Sequence, residues 1–185
     1  MTAMPFSRLL LILCVFTGFL ILKGSLPAQQ KIDFVKHLFF KHLIGDWKSQ
    51  GTLKNAEGKE IKLEEEWTGK VTAEGEFVME GHRLIDNEKQ DYTWTFIHNT
   101  VTGLFEAVHS VAVNEGETKR FEASISEVDL TMELRLTGDG GAAISIKDSF
   151  SDADHAILES AVVLTGSRGE TNLSGKLVHH RVKKP

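Results

Sequence analysis

The chain has 185 residues, a formal net charge of −5, 41% hydrophobic residues and a single cysteine. One thiol cannot pair within a chain, so a disulfide framework is excluded. An acidic balance also makes nucleic acid and anionic membranes poor partners, because both repel it.

The first residues differ from the rest. Arg8 precedes an almost unbroken apolar run from Leu9 to Leu22, closed by Ser25-Leu26-Pro27-Ala28. That is a signal-peptide pattern, with cleavage expected after Ala28. The run of 14 residues is shorter than the roughly 20 of a spanning helix. Cys14 lies inside the run behind Leu13, where lipidation requires a small residue. The mature chain is therefore expected to be exported, periplasmic or extracellular, with no thiol and no membrane contact once residues 1–28 are cut. Cleavage removes Arg8 and Lys23, leaving 19 basic and 26 acidic residues in the 157 from 29 to 185. That length suits one domain, which buries roughly two thirds of its unfolded surface.

After the leader, Asp33 is placed to cap a helix in which Phe34, Val35, Leu38, Phe39 and Leu43 form an apolar stripe, with Lys36, His37 and Lys41 facing water. Gly45 ends it, and from Asp46 onward the apolar period changes from 3.6 to 2. Ile61, Leu63 and Trp67 alternate with Lys62, Glu64 and Glu66. Tyr92, Trp94 and Phe96 alternate with Thr93 and Thr95, and Leu130 to Leu136 alternates with Thr131, Glu133 and Arg135. Each is a strand with one buried face. Further strands are expected at 46–54, 76–85, 103–113, 119–126, 141–150, 156–165 and 172–182. Turn sequences separate them at Ala73-Glu74-Gly75, Asp86-Asn87-Glu88, Asn114-Glu115-Gly116 and Gly138-Asp139-Gly140-Gly141. Sequential hairpins make a meander, and closing it removes two raw edges. The expected fold is all-β: an antiparallel up-and-down barrel of about eight to ten strands with a short N-terminal helix across one end, a two-sheet sandwich being the alternative.

At Leu43-Ile44-Gly45-Asp46-Trp47, a short helix followed by Gly-x-Trp at the first strand resembles the opening of lipocalin-like (calycin) barrels, where the Trp packs across the barrel floor. The leader, helix, Gly-Asp-Trp and the later Gly75-to-Gly81 segment, Gly-Glu-Phe-Val-Met-Glu-Gly, are together similar to an uncharacterised family of exported bacterial proteins with lipocalin-like domains. That likeness spans roughly 31 to 182 and implies the fold without an activity. Nitrobindins, haem-binding calycin barrels, begin with a longer Gly-x-Trp-x-Gly-x-Gly motif and take a histidine ligand from near the C-terminus. Gly45 and Trp47 match that motif, Lys48-Ser49-Gln50-Gly51 departs from it, and His179 and His180 sit on the last strand. No cofactor is expected, haem being the one candidate this comparison raises.

Several polar residues share the inward parity of their strands: Glu65, His98, His109 and Asp148. A buried carboxylate or imidazole without a partner costs several kcal/mol, so such groups must meet one another, a ligand or water. Strand ends are expected to return His98 and Asp148 to solvent, and the Glu64-Glu65-Glu66 run reads as a wet edge. Arg83 shares the parity of Phe77 and Met79 and suits an acid ligand or Glu65, or else turns outward at a strand end. His179 and His180 are adjacent, so only one can point inward. No metal-binding spacing, nucleophile elbow or phosphate-cradling loop occurs, and no catalytic or metal-ligating residue is assigned. The expected ligand contacts are Trp47, Trp67, Arg83, Trp94, Phe96 and His109.

Three functions follow. The first is an exported module binding a small apolar or amphipathic molecule in the barrel. The second is a hydrolase or isomerase using Glu65 or His109 in the same cavity. The third is an interaction protein with a solid barrel and no pocket.

Overall fold

The computed structural model describes residues 32–112, 118–137 and 141–183. The expected leader lies outside them, as do Asn114-Glu115-Gly116 and Gly138-Asp139-Gly140 of the two expected turns. The described chain runs through α1 (Phe40–Leu43) and ten strands: β1 (Gly45–Asn55), β2 (Glu60–Val71), β3 (Phe77–Ile85), β4 (Glu88–His98), β5 (Phe105–Val111), β6 (Thr118–Ser126), β7 (Thr131–Thr137), β8 (Ala143–Phe150), β9 (Ile157–Thr165) and β10 (Thr171–Arg181).

Each strand pairs antiparallel with its sequence neighbours, and β1 closes on β10 with Trp47 opposite Arg181 and Ser49 opposite His179. The closed meander leaves no edge strand, and the sandwich is set aside. The period-2 pattern explains the burial. Along β1 and β2 the buried side chains are Trp47, Ser49, Leu63 and Trp67, while Lys48, Glu64 and Glu66 face out. Reversals use the residues that left-handed backbone demands. Asp86 and Asn87 have φ of +49° and +73°, a two-residue turn whose twist matches the strands it joins.

The N-terminal segment closes one end of the barrel, but as a shorter helix than the stripe predicts. Residues 34 to 39 form turns, and only Phe40–Leu43 is α-helical. Local polar groups compete with helix there: Asp33 Oδ1 accepts from Val35 N at 3.1 Å, and His37 Nδ1 accepts from Phe39 N at 3.3 Å, side-chain bonds of the kind that displace the helical ladder. The change in winding alters which residues face in. Phe34, Phe39, Phe40 and Leu43 are buried, Val35 and Leu38 are exposed, and His37, expected in water, is buried beside Glu127.

Beneath this plug the floor is aromatic. Phe40 packs 4.9 Å from Phe77 and 5.3 Å from Phe96, and Trp47 stacks on Trp67 at 5.2 Å with planes 9° apart. Trp47 donates to Leu43 O at 3.1 Å, which ties the first strand to the helix end. Arg181 lies 4.8 Å from the Trp47 ring centroid and donates to the carbonyls of Ile44, His42 and His155. The glycine of Gly-x-Trp has φ +126°, backbone that side-chain-bearing residues rarely adopt. At Gly69 a Cβ would stand 2.2 Å from Leu43 O, so a bare backbone there lets the helix seat on the wall.

Candidate functional site

Above the floor the barrel is not filled. A cavity of about 340 Å³ lies inside it, within the roughly 300–1,000 Å³ of small-molecule sites. Its wall is mainly apolar, including Leu63, Met79, Trp94, Phe121, Leu134 and Ile146, with Glu65, Arg83, Tyr92, His109, Lys119, Asp148, Ser160 and His179 as polar lining. The strand turns at residues 86–87 and 166–170 mark the mouth, and the α1 end is the base.

One side of the base carries a hydrogen-bonded chain. Trp67 Nε1 is 3.2 Å from Ser49 Oγ, which bonds His179 Nδ1; His179 Nε2 is 2.8 Å from Ser160 Oγ, which reaches Asp148 Oδ1 at 2.5 Å. An indole N–H only donates and a carboxylate only accepts, and Trp67 Nε1 also donates to His179 Nδ1 at 3.2 Å, which makes that nitrogen an acceptor. Trp67 donates to Ser49, Ser49 to Nδ1, Nε2–H to Ser160 and Ser160 to Asp148. His179 is thereby the neutral Nε2–H tautomer. Burial agrees with this, pushing His179 down to about 4, with His180 adding to the effect. Burial also pushes Asp148 up to about 6, against the pull of the Ser160 bond.

The other side is built around Glu65. Burial pushes its carboxyl up to about 7; Arg83 and the Tyr92 hydroxyl oppose the rise and the charge of Asp148 adds to it. Tyr92 is held protonated by burial and by Glu65. Arg83 Nε donates to Gln90 Oε1 at 3.1 Å, and its guanidinium lies 5.6 Å from the Tyr92 ring centroid. The cavity thus has an apolar body and a polar base in which Glu65 feels the charge of Asp148.

Of the expected contacts, Arg83, Trp94, Phe96 and His109 line the cavity. The His109 ring packs 4.4 Å from Trp94. Trp47 and Trp67 lie outside its lining, because closing the barrel floor takes these two largest rings. Two strand-end and edge expectations are corrected. Glu65 sits in unbroken register opposite Ser49 and Arg83 and points in. Asp148 is buried and held by Ser160. His98, at its strand end, is only part-buried, with its ring 5.1 Å from Phe105. His179 enters the barrel and His180 faces out. The sequence reading missed Ser49 and Ser160, although both share parity with buried neighbours, Trp47 and Leu158.

No protein family matches the chain by sequence, and no curated protein does. Solved structures do match. The S-type phycobiliprotein lyase CPES from Guillardia theta superposes with a TM-score of 0.59 at 15% identity, over 80% of this chain and 92% of that one. Rv2717c from M. tuberculosis superposes with a TM-score of 0.57 at 14% identity, over 83% of this chain and 100% of that one. At such identity the likeness is one of fold. With ten strands closed around a cavity and a Gly-x-Trp floor, this is a lipocalin-like barrel.

The two histidines that the nitrobindin comparison singles out are not placed to ligate haem. Both ring nitrogens of His179 are committed, to Ser49 and Ser160, and His180 faces outward.

Proposed function

We propose that this chain is an exported binding protein that holds a small apolar or amphipathic molecule inside its barrel. The cavity carries this reading: a well-packed core leaves few voids larger than a water molecule, whereas about 340 Å³ lies open here within an apolar wall. The solid-barrel interaction protein is set aside by the same cavity. Arg83, Trp94, Phe96 and His109 are the contacts proposed, without haem. The leader pattern of residues 1–28 supports export to a periplasmic or extracellular location, as in the exported bacterial proteins its layout resembles.

A hydrolase or isomerase would draw on Glu65 or His109 in the same space, with Asp148 as a further carboxyl. It is the lesser reading, because Glu65 bonds Tyr92 and Asp148 bonds Ser160, rather than each other.

Native mass spectrometry of the protein from its exported fraction tests the binding reading. A native mass exceeding the denatured mass is expected, with a released molecule that rebinds. A bare mass, unchanged after incubation with a panel of lipids and other apolar molecules, would overturn it.

A further inference from the structure

Two histidines of the plug sit against the barrel rim in arrangements that suit only the uncharged ring. His42, in the last turn of α1, lies 4.0 Å from His155 of the β8–β9 loop with planes 30° apart, and Phe150 packs edge-on against both. Among the described residues the charges acting on His42 are all positive: His155 once protonated, Lys41 beside it and Arg181 of β10. Arg181 is fixed there by its bonds to the His42 and His155 carbonyls. The nearby carboxylates are engaged elsewhere. Asp152 accepts from Ala156 N and Ile157 N while its charge acts on His155 and Arg181, and Asp46 of β1 accepts from Thr68 Oγ1. His37, near the other end of the plug, uses Nδ1 to accept from Phe39 N and points Nε2 at Glu127 of the β6–β7 turn, 3.4 Å away. Glu127 also accepts from Leu38 N, and the charge of His98 on β4 reaches His37 as well. A protonated imidazole donates from both nitrogens, so a proton on Nδ1 ends the bond that shapes residues 37–39. Burial lowers the proton affinity of both plug rings; Glu127 opposes this at His37 and His98 adds to it, while His155, Lys41 and Arg181 add to it at His42.

We propose that the plug is an acid-released latch: it closes the barrel at neutral pH, and protonation of His42 and His37 frees residues 33–43 from the rim. Repulsion between His42 and His155 acts at one end of the segment, and the lost Nδ1 bond of His37 at the other. A plug ring in water has the ordinary value of 6.5 and a docked one lies below it. Closure is therefore complete above 6.5 and weakens as pH falls below that value. His179, Glu65 and Asp148 also titrate as the solution is acidified, but they belong to the barrel wall, so the latch is to be read from the plug itself. Resting on the binding reading above, release also weakens ligand retention, because Phe40 of the plug packs on Phe96, which lines the cavity.

Hydrogen exchange of the full chain, followed by mass spectrometry and corrected for the intrinsic pH dependence of exchange, reads plug and wall separately. From pH 7.5 to 5.5 the protection of residues 33–43 is expected to fall at least tenfold, while strands β4 to β8 keep theirs within threefold. A triple variant removes the titrating rings: His42→Gln, His37→Asn, whose Oδ1 can take the Phe39 N–H, and His155→Asn, since asparagine tolerates the φ of +52° at that position. Its plug should stay protected within threefold across the same range. If the triple variant is unprotected already at pH 7.5, His42→Gln alone decides, and it should cut the wild-type fall at least threefold. Equal protection of the wild-type plug at both pH values, loss of plug and wall together, or a folded variant that loses protection as the wild type does would overturn the latch. N-phenyl-1-naphthylamine, an uncharged apolar fluorophore, reads the consequence: its dissociation should quicken at least threefold at pH 5.5 in the wild type and stay unchanged in the variant. Unaltered dissociation from a released plug would overturn the link to retention. No binding of the dye at either pH, with the plug still released by acid, would count against the binding reading and leave the latch standing.

Discussion

Ser160 stands between Asp148 and His179, 2.5 Å from the carboxylate and 2.8 Å from Nε2, and so it hands one hydrogen bond on as it receives another. Ser160→Ala removes the donor of Asp148 and the acceptor of His179 Nε2–H together. Each buried group left unmet costs about 1–3 kcal/mol, so with two such groups urea unfolding should show a loss of about 2–6 kcal/mol. The loss of the bond that lowers its proton affinity should also move Asp148 above its present value of about 6. Carbon-detected NMR titration of the carboxyl reads that shift; an unmoved titration would show that the hydroxyl does not serve Asp148.

Glu65→Gln should stabilise the protein at alkaline pH. The native carboxyl binds its proton more tightly than the unfolded chain does, with a value of about 7 against 4.5. Stability from this group is complete below 4.5 and is lost as pH rises through 7. A neutral amide that still accepts from Tyr92 escapes the loss, worth about 2–3 kcal/mol at pH 8. His179 acts with the opposite sign. Its native value of about 4 against 6.5 removes stability as pH falls between those limits. The Glu65→Gln advantage, read by denaturation at pH 8 and pH 4.5, should therefore be large at the first and near zero at the second. An equal advantage at both would refute the assignment of the shift to this carboxyl.

The barrel was legible because side-chain parity and turn chemistry spoke together. Asp86-Asn87 fixed one hairpin, and the Leu63 and Trp67 parity fixed which face of β2 turned inward. The plug was misread where local hydrogen bonds from Asp33 and His37 competed with an apolar period that fits a helix. The polar base was only half visible. Inward parity pointed to Glu65, His109 and Asp148, yet the acidic neighbours of Glu65 and the strand-end position of Asp148 argued for water in those two. Ser49 and Ser160 carried no signal of chemistry, since a serine on a strand announces nothing until a histidine is brought between two of them. That meeting depends on the β1–β10 closure, which no local pattern encodes.

Gly69→Ala should lift the plug. Its added carbon would meet Leu43 O at 2.2 Å and the Phe77 ring at 3.0 Å, backbone and a packed ring that cannot step aside. Overpacking of this kind costs about 1–3 kcal/mol, and Trp47 loses its bond to Leu43 O if the helix moves. A red shift in tryptophan emission with a lowered melting temperature is expected. Unchanged stability would mean that the helix does not rest on this wall.

Arg181→Lys should destabilise nearly as much as Arg181→Ala. The guanidinium serves Ile44, His42 and His155 carbonyls in one plane while lying over Trp47. An ammonium cannot reproduce that planar fork or its stacking. A loss of about 2 kcal/mol is expected for either variant, from two or more weakened carbonyl bonds. Rescue by lysine would reduce the role of Arg181 to charge alone.

Val162→Phe separates the cavity from the fold. Val162 lines the cavity on β9 and is only part-buried, so its side chain borders empty space rather than a packed neighbour. A ring placed there fills volume that a ligand would use, and the apolar area it buries offsets the strain of insertion, at roughly 25 cal/mol per Å². Melting temperature should stay within a few degrees of wild type while affinity for a co-purified apolar molecule falls at least tenfold. A variant that melts normally and binds normally would show that ligands do not occupy this space. One that unfolds would show that β9 is packed more tightly than its exposure indicates, and Ile144→Phe, in the same cavity wall on the neighbouring β8, would then carry the test.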